Sequence, residues 1–163
     1  MGKQFEIITK VLEYDSDVEL ESVDRNLLKQ ARNATSNAYA PYSNFRVGAA
    51  VLLSNGVVVG GNNQENVAYP SGLCAERVAI YSAGAVYPEA SVVAVAVSSR
   101  SDKFEVNKPM SPCGACRQAM AEYEQRSGQP IRIILGAHTG PVQVIESVKS
   151  LLPLIFEAPE LKE

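Results

Sequence analysis

The three cysteines of this chain are its clearest candidates for chemistry. Cys74 lies in "SGLCAERVAI", and Cys113 and Cys116 have the C-x-x-C spacing in "SPCGACRQ". If Pro112 closes a loop and a helix begins at Cys113, the unpaired N–H groups and the positive dipole end there favour thiolate over thiol. Three thiolates can bind Zn²⁺ and leave the fourth tetrahedral position open, which is typical of a catalytic zinc.

Two other uses of these cysteines stay open at this point. A C-x-x-C pair can be a redox pair, although the Trp or Gly-Pro context of thioredoxin-like motifs is missing. A closed structural zinc site would need His138, the one histidine, as its fourth ligand, but His138 lies in the polar turn "LGAHTG". The odd cysteine count is a poor disulfide framework, and in a reducing compartment grouped cysteines more often bind metal.

Glu76 shifts the balance towards catalysis. It follows Cys74 by two residues, and a helix turns by about 200° over that distance, so Glu76 cannot easily bind the same ion. A carboxylate beside the open position could instead take a proton from zinc-bound water. A surface glutamate is the alternative, but the neighbours of Glu76 are mostly apolar and favour a buried helix.

Arg77 could offset the charge of the thiolates. Zn²⁺ with three thiolates has a formal charge of about -1, and excess negative charge raises the pKa of bound water. A guanidinium that donates to the sulfurs would withdraw that charge. The alternative is a surface salt bridge of little energetic value.

The elements that must position these residues begin with an extension, residues 1–21, in which "FEIITKVLEY" could be a strand. Ser22 can cap a helix from about Val23 to Ala38. The runs "FRVGAAVLL" and "VVVGGNN" are predicted to form a hairpin through an Asn-Gly turn at 54–56. A helix should then run from Cys74 to about Ala85.

The second half of the chain predicts the rest of a layered fold. "ASVVAVAVSS" is typical of a strand covered on both faces, and a helix should run from Cys113 to about Gln125. "IRIILG" and "VQVIESV" are strand candidates, and "SVKSLLPLIF" a short helix ending near Pro153. The order predicts an α/β protein: a three-layer α/β/α sandwich with a mixed sheet of about five strands and an antiparallel hairpin at one edge.

Composition limits the partners. The 163 residues favour one domain, and 46% hydrophobic and 20% charged residues are ordinary for a soluble protein. The net charge of -3 gives no reason to expect a nucleic acid polymer or an anionic membrane as partner. No apolar run approaches a membrane span and no signal peptide is evident, so a cytoplasmic location is expected by default.

"CAER" followed by "PCGACRQ" resembles the small, homotetrameric, three-cysteine, zinc-dependent cytidine deaminases. The segments "YAPYSNFRVGAAVL", "GNNQENVAYPSG" and "LLPLIF" are also similar to family segments and stand in the same order. The resemblance covers residues 22–163 as a cytidine deaminase domain and leaves 1–21 as an N-terminal extension. Val67 departs from the alanine that often follows "EN" in the family, which puts the pocket shape near the base in doubt.

The resemblance implies a role for each matching residue. Zn²⁺ would be the cofactor, with Glu76 as the proton shuttle and hydroxide on the zinc attacking C4 of the pyrimidine. The ligands would be Cys74, Cys113 and Cys116. Asn63 and Glu65 would bind the ribose hydroxyls, Phe45 would pack beside the pyrimidine, and Phe156 would reach a neighbouring subunit's site. Arg77 and Gln118 would support the zinc ligands from outside.

The implied reaction is hydrolytic deamination of cytidine, deoxycytidine or both to uridine or deoxyuridine plus ammonia, in pyrimidine salvage, by a homotetramer with shared active sites. Three rivals remain. A deaminase of the same fold could act on a nucleoside antibiotic of the blasticidin S type. A structural zinc module would require His138 as a ligand, and a polynucleotide-editing enzyme would lack the expected basic surface.

Overall fold

A single mixed sheet forms the middle layer of the protein. The computed structural model describes residues 2–158 and 161. The sheet contains six strands among these residues, in the spatial order β1-β6-β5-β4-β2-β3. Their bounds are β1 Leu12–Tyr14, β2 Phe45–Leu53, β3 Val58–Asn62, β4 Val92–Ser101, β5 Arg132–Ala137 and β6 Val142–Ile145. The prediction of about five strands was one short, because the extension supplies β1.

The predicted hairpin is confirmed, and it lies at one edge of the sheet. β2 and β3 pair antiparallel from Gly48 opposite Asn62 to Leu52 opposite Val58. Gly56 in the connecting turn has a φ of +83°, a conformation that a residue without a Cβ adopts freely. Among the described strands only β4 and β5 pair in parallel, so the sheet is mixed as expected.

Within the part of the chain that the structure describes, three helices complete the α/β/α sandwich that the sequence predicts. They are α1 Ser22–Ala34, α2 Ala75–Val86 and α3 Gly114–Ser127. Along β4, Val95 and Val97 pack into the core cluster that contains residues of α2 and α3. Ala94 and Ala96, on the opposite face, pack into the cluster that contains residues of α1. The strand is therefore covered on both faces, because side chains alternate along it.

Helix α1 is shorter than predicted. It ends at Ala34, and a 3-10 turn, Thr35–Asn37, replaces the last residues expected in it. The Thr35 hydroxyl donates to the carbonyl of Arg32, which satisfies a helix-end acceptor and helps to end the helix. At the other end Ser22 is the first helical residue rather than the cap, and Glu21 precedes it.

Three further predictions of local structure were wrong. Of the proposed strand at 5–14 only Leu12–Tyr14 pairs, and it pairs with β6. The strand predicted from "VQVIESV" stops at Ile145, and a 3-10 turn, Val148–Leu151, takes the place of the last predicted helix. The Ser147 side chain accepts from the N–H of Lys149 and so caps this turn.

Close backbone contact seats α2 directly on β3. A Cβ added to Gly61 would lie 2.5 Å from the nitrogen of Ala79 and 2.7 Å from the oxygen of Ala75, both in α2. A Cβ added to the neighbouring Gly60 would meet nothing within 4 Å. Glycine at position 61 therefore sets the distance between the sheet and the helix that carries Glu76.

Candidate active site

The three thiols form one cluster. The Sγ atoms of Cys74, Cys113 and Cys116 all lie within 4.8 Å of one another. The distance between the sulfurs of Cys74 and Cys113 is 3.8 Å, and between those of Cys113 and Cys116 it is 3.5 Å. Tetrahedral Zn–S bonds of about 2.3 Å place sulfurs about 3.8 Å apart, so the cluster fits Zn²⁺. Of the histidine, cysteine and acidic residues in the described chain, no others join it, and His138 lies elsewhere.

Two helix N-termini bring the thiols together. Cys74 is the extended residue directly before α2, and Cys113 is the extended residue directly before α3. Both were predicted as the first helical residue, so each is displaced by one position. Cys116 lies in the first turn of α3 and is fully buried. N–H groups without helical partners therefore surround the cluster and favour negative charge on sulfur.

The cluster also perturbs its own thiols. The contact with the Cys116 thiol, assisted by the Arg77 guanidinium and by Cys113, lowers the pKa of Cys74 to about 5 against the effect of burial. The contact with Cys74 and burial raise the pKa of Cys116. Without a metal, the cluster therefore favours one thiolate and opposes the ionisation of a second thiol. A bound dication would favour ionisation of all three, because cysteines bind metals as thiolates.

Arg77 contacts the cluster as the sequence suggested. Its Nη2 atom lies 3.7 Å from the sulfur of Cys74, within donating distance for sulfur. The interaction with Cys74 raises the pKa of Arg77. The guanidinium therefore places positive charge beside the thiolate most easily formed.

Glu76 is a buried carboxylate in the cavity beside the thiols. It is only 4% exposed and belongs to the first turn of α2. Burial, together with the charge of Cys74, raises its pKa. A carboxyl with a raised pKa binds a proton more readily than an ordinary carboxyl, which suits general acid–base chemistry.

A cavity of about 770 Å³ opens in front of this group. Asn63 stands on one side of it, directly after β3. Its side-chain oxygen accepts from the N–H of Val47 at 2.8 Å, and its side-chain nitrogen donates to the carbonyl of Phe45 at 2.9 Å. The amide thus holds the loop to β2 and keeps one N–H and one lone pair for a ligand.

Glu65 lies on the same side and is held by the turn before β2. One carboxylate oxygen accepts from the backbone N–H groups of Tyr42 and Ser43, and the other accepts from the Ser43 hydroxyl. Burial opposes the charge, but these hydrogen bonds outweigh it and lower the pKa of Glu65. The carboxylate is therefore ionised and oriented at neutral pH, with lone pairs left for two ligand hydroxyls.

Phe45 lines the cavity at the start of β2. The turn before it contains Asn44 with a φ of +58°, a left-handed conformation that asparagine tolerates. The ring of Phe104, from the loop after β4, stacks on Phe45 with centroids 6.2 Å apart and an interplanar angle of 17°. Phe104 was not predicted from the sequence, because the contact joins residues far apart in the chain.

Phe156 and Gln118 do not line this cavity. Phe156 is 73% exposed, and its carbonyl accepts from the side-chain nitrogen of Gln118 at 3.1 Å. Both border a second depression, and Arg77 borders both that depression and the main cavity. Within one chain Gln118 therefore contacts the C-terminal segment, and the roles expected for Phe156 and Gln118 stay predictions.

Several cavity residues were missed by sequence reasoning. Val67, which put the pocket shape near the base in doubt, is 78% exposed and does not line the cavity. Ser99 ends a run of alternating residues, Val95 and Val97, on one face of β4, so the alternation was a signal that could have found it. Other missed wall residues include Tyr42, Tyr69, Met110 and Ser111.

Comparison with known proteins identifies the family. The family model "Cytidine and deoxycytidylate deaminase zinc-binding region" matches residues 21–127. A cytidine deaminase of Halalkalibacterium halodurans is 41% identical over 144 residues, which are 86% of this chain and 100% of that protein. One of Sporosarcina psychrophila is 42% identical over 83% of this chain and 92% of its own length.

Solved structures agree. A cytidine deaminase from Burkholderia pseudomallei has a TM-score of 0.70 and 40% identity, covering 80% of this chain and 97% of that one. This chain belongs to the cytidine and deoxycytidylate deaminase family. Among residues 2–158 and 161, no helix has the length and apolar character needed to cross a membrane.

Proposed function

We propose that this protein is a zinc-dependent cytidine deaminase that converts cytidine, deoxycytidine or both into the uracil nucleoside and ammonia. The observation that carries the proposal is the buried carboxylate of Glu76 in one cavity with thiols at tetrahedral spacing. The family supports the reaction class, and the relatives named above are themselves called cytidine deaminases.

Cys74, Cys113 and Cys116 would hold Zn²⁺, and the sulfur spacings support this assignment. When bound, the metal supplies Lewis-acid activation of a water molecule. Arg77 donates to the sulfur of Cys74 and so limits the negative charge that three thiolates bring to the site.

Glu76 moves the protons. It takes one from the nucleophilic water and delivers it to N3 of the pyrimidine, which makes C4 more open to attack. After the water oxygen has bonded to C4, Glu76 takes the remaining proton of that hydroxyl group and passes it to the exocyclic amine, so that the C4–N bond breaks and ammonia leaves. Its raised pKa supports both directions of transfer.

Asn63 and Glu65 orient the nucleoside through the ribose. Glu65 accepts from ribose hydroxyls with the lone pairs that Tyr42 and Ser43 leave free. Asn63 contributes its remaining N–H. Phe45 forms the aromatic wall beside the base.

The active protein is a homotetramer in which Phe156 enters a neighbouring subunit's site. The enzyme acts in the cytoplasm, in pyrimidine salvage. The high exposure of Phe156 supports the first statement. The three free cysteines suit a reducing compartment, which supports the second.

The direct test follows the loss of cytidine absorbance with zinc-loaded protein, beside deoxycytidine, cytosine, cytidine monophosphate and blasticidin S. We expect turnover of the plain nucleosides and little of the free base, which lacks the ribose. Turnover of the antibiotic alone would contradict the proposal.

Substitution Glu76→Gln tests the proton shuttle. The amide keeps the size of the side chain but cannot carry the proton, so kcat should fall by a factor on the order of 10²–10⁴. Zinc content, measured by elemental analysis, should stay at the wild-type level. Glu89→Gln, at an exposed glutamate beyond the end of α2, is the control. A near wild-type kcat in the Glu76→Gln variant would remove Glu76 from the mechanism.

A further inference from the structure

Ser99 presents to the cavity a buried hydroxyl that forms no hydrogen bond with the described residues. The residue lines the cavity and is 2% exposed. A buried hydroxyl without a partner costs free energy, so a group that pairs with it is bound more tightly than one that does not.

The side chain of Ser99 points to the face of the sheet that carries the site. Ser99 lies opposite Val47 in the β2–β4 pairing, and paired residues share a face. Val47, which lines the cavity, packs against the core cluster of α2 and α3, and Val97 belongs to it. Ser99 follows Val97 by two residues along β4 and therefore shares this face.

Ser98 offers a close contrast. It is 1% exposed, and its hydroxyl also has no partner among the residues that the structure describes. It lies opposite Gly48, where an added Cβ would meet the carbonyl oxygen of Ala31 in α1. The side chain of Ser98 is therefore directed towards α1, away from the site, although the residue borders the cavity.

The order of the strands indicates which edge of the base faces Ser99. Helix α2, with Glu76, packs mainly on β3 and β2, whereas Ser99 lies on β4, the next strand across. In cytosine, C4 is flanked by N3 on one side and C5 on the other. If Glu76 serves N3, the C5 edge is turned away from α2 and towards β4.

We propose that Ser99 recognises the C5 position of the pyrimidine, so that the site favours a small hydrogen-bonding group at C5 over an apolar group of the same size. The proposal rests on the proposed function. The ligand class is a cytosine nucleoside that carries an amino or similar polar substituent at C5.

The test compares 5-aminocytidine with 5-methylcytidine, whose substituents are nearly equal in size. The measured quantity is the ratio of kcat/KM for the two substrates in the wild type, Ser99→Ala, Ser99→Cys and Ser98→Ala. Intrinsic differences in base reactivity cancel when one protein's ratio is divided by another's. We expect Ser99→Ala to lower the preference for the amino compound about tenfold and Ser99→Cys to lower it less. Ser98→Ala should leave it within about twofold.

A binding measurement gives a second readout without turnover. The dissociation constants of 5-aminouridine and 5-methyluridine, measured by calorimetry, should show the same loss of preference in Ser99→Ala. Thermal unfolding of each variant reports whether it is folded.

An unchanged ratio in a folded Ser99→Ala protein that still deaminates cytidine would overturn this inference and leave the proposed function standing. An equal change of the kcat/KM ratio in Ser98→Ala would also overturn it, because the effect would then not depend on which face of the sheet carries the serine. A wild type that deaminates no cytosine nucleoside would instead contradict the proposed function.

Discussion

Single side chains in this site hold the fold, and the same side chains are proposed to hold the ligand. Glu65 shows this most clearly, because the hydrogen bonds from Tyr42 and Ser43 that fix the turn before β2 also fix the carboxylate. Asn63 likewise ties the end of β3 to the backbone of β2. A substitution at either residue should therefore affect both stability and substrate binding.

The pH dependence of stability tests the contribution of Glu65 to the fold. Its pKa in the folded protein lies below the usual value of 4.5, because hydrogen bonds to Ser43 and Tyr42 outweigh burial. A lowered pKa contributes stability that is fully present above the unfolded pKa and is lost as the pH falls through the folded pKa. The unfolding free energy of wild type minus that of Glu65→Gln should thus be constant from neutral pH down to about 5.5 and then shrink.

Urea unfolding at a series of pH values measures that difference. Glu89→Gln, an exposed glutamate, serves as the control and should show no comparable loss. A difference that grows as the pH falls through 4.5 would contradict the lowered pKa.

At this scale the sequence was most informative where the chemistry is local. Cys74, Glu76 and Arg77 lie within four consecutive residues. The apolar neighbours of Glu76 predicted its burial, the charge of the thiolates predicted Arg77 beside them, and both are found. Ser99 lines the cavity and Phe104 stacks on Phe45, and both were missed because these contacts depend on which strands and loops become neighbours.

At the scale of elements, the site depends on how closely α2 approaches the sheet. Gly61 permits that approach, and Gly84 in α2 similarly lies where an added Cβ would be 2.3 Å from the hydroxyl of Tyr123 in α3. Helix α3 is in turn anchored by the buried Glu124, which accepts from the N–H groups of Ile131 and Val148. The two helices that carry the thiols are thereby fixed against the sheet and against each other.

Gly61→Ala should disturb the metal site through α2. The new methyl group would collide with backbone atoms of Ala75 and Ala79, which cannot yield as a flexible side chain could. We expect a loss of about 1–3 kcal/mol in unfolding free energy, typical of overpacking, together with weaker zinc retention against a chelator.

Gly60→Ala is the matched control, because its methyl group would enter open space one residue away. Thermal unfolding and zinc content should stay close to wild type in that variant. Equal effects of the two substitutions would show that general strand weakening, and not the contact with α2, is responsible.

The type and order of the main elements were predictable, and their ends were less so. The Asn-Gly turn and the β-branched runs on either side of it predicted the β2–β3 hairpin, since both signals are local. The end of α1 was missed because the Thr35 hydroxyl and the following 3-10 turn compete with helix continuation. The segment 5–14 has strand-like composition, but most of it forms no ladder, because only residues 12–14 pair with β6.

At the scale of the whole molecule, the proposed sharing of active sites between subunits can be tested by mixing two variants in one oligomer. Phe156→Ala and Glu76→Gln subunits should each be weakly active alone. If Phe156 enters a neighbour's site, a mixed oligomer contains sites with Glu76 from one chain and Phe156 from the other. Activity after denaturation and refolding together should then exceed the sum of the two separate preparations.

Sedimentation of the same samples reports their oligomeric state. Each variant refolded alone gives the baseline. Activity of the mixture no greater than the sum of the two baselines would contradict a shared site.

The short strand β1 has a consequence for the behaviour of the protein in concentrated solution. Its three residues occupy the outer backbone groups of β6, which would otherwise be free to template pairing with other chains. β1 is itself too short to recruit a further strand, and the Thr9 hydroxyl fastens the segment before it to the carbonyl of Ser150 at 2.6 Å. We therefore expect the extension to reduce aggregation through the β6 edge, independently of the chemistry of the site.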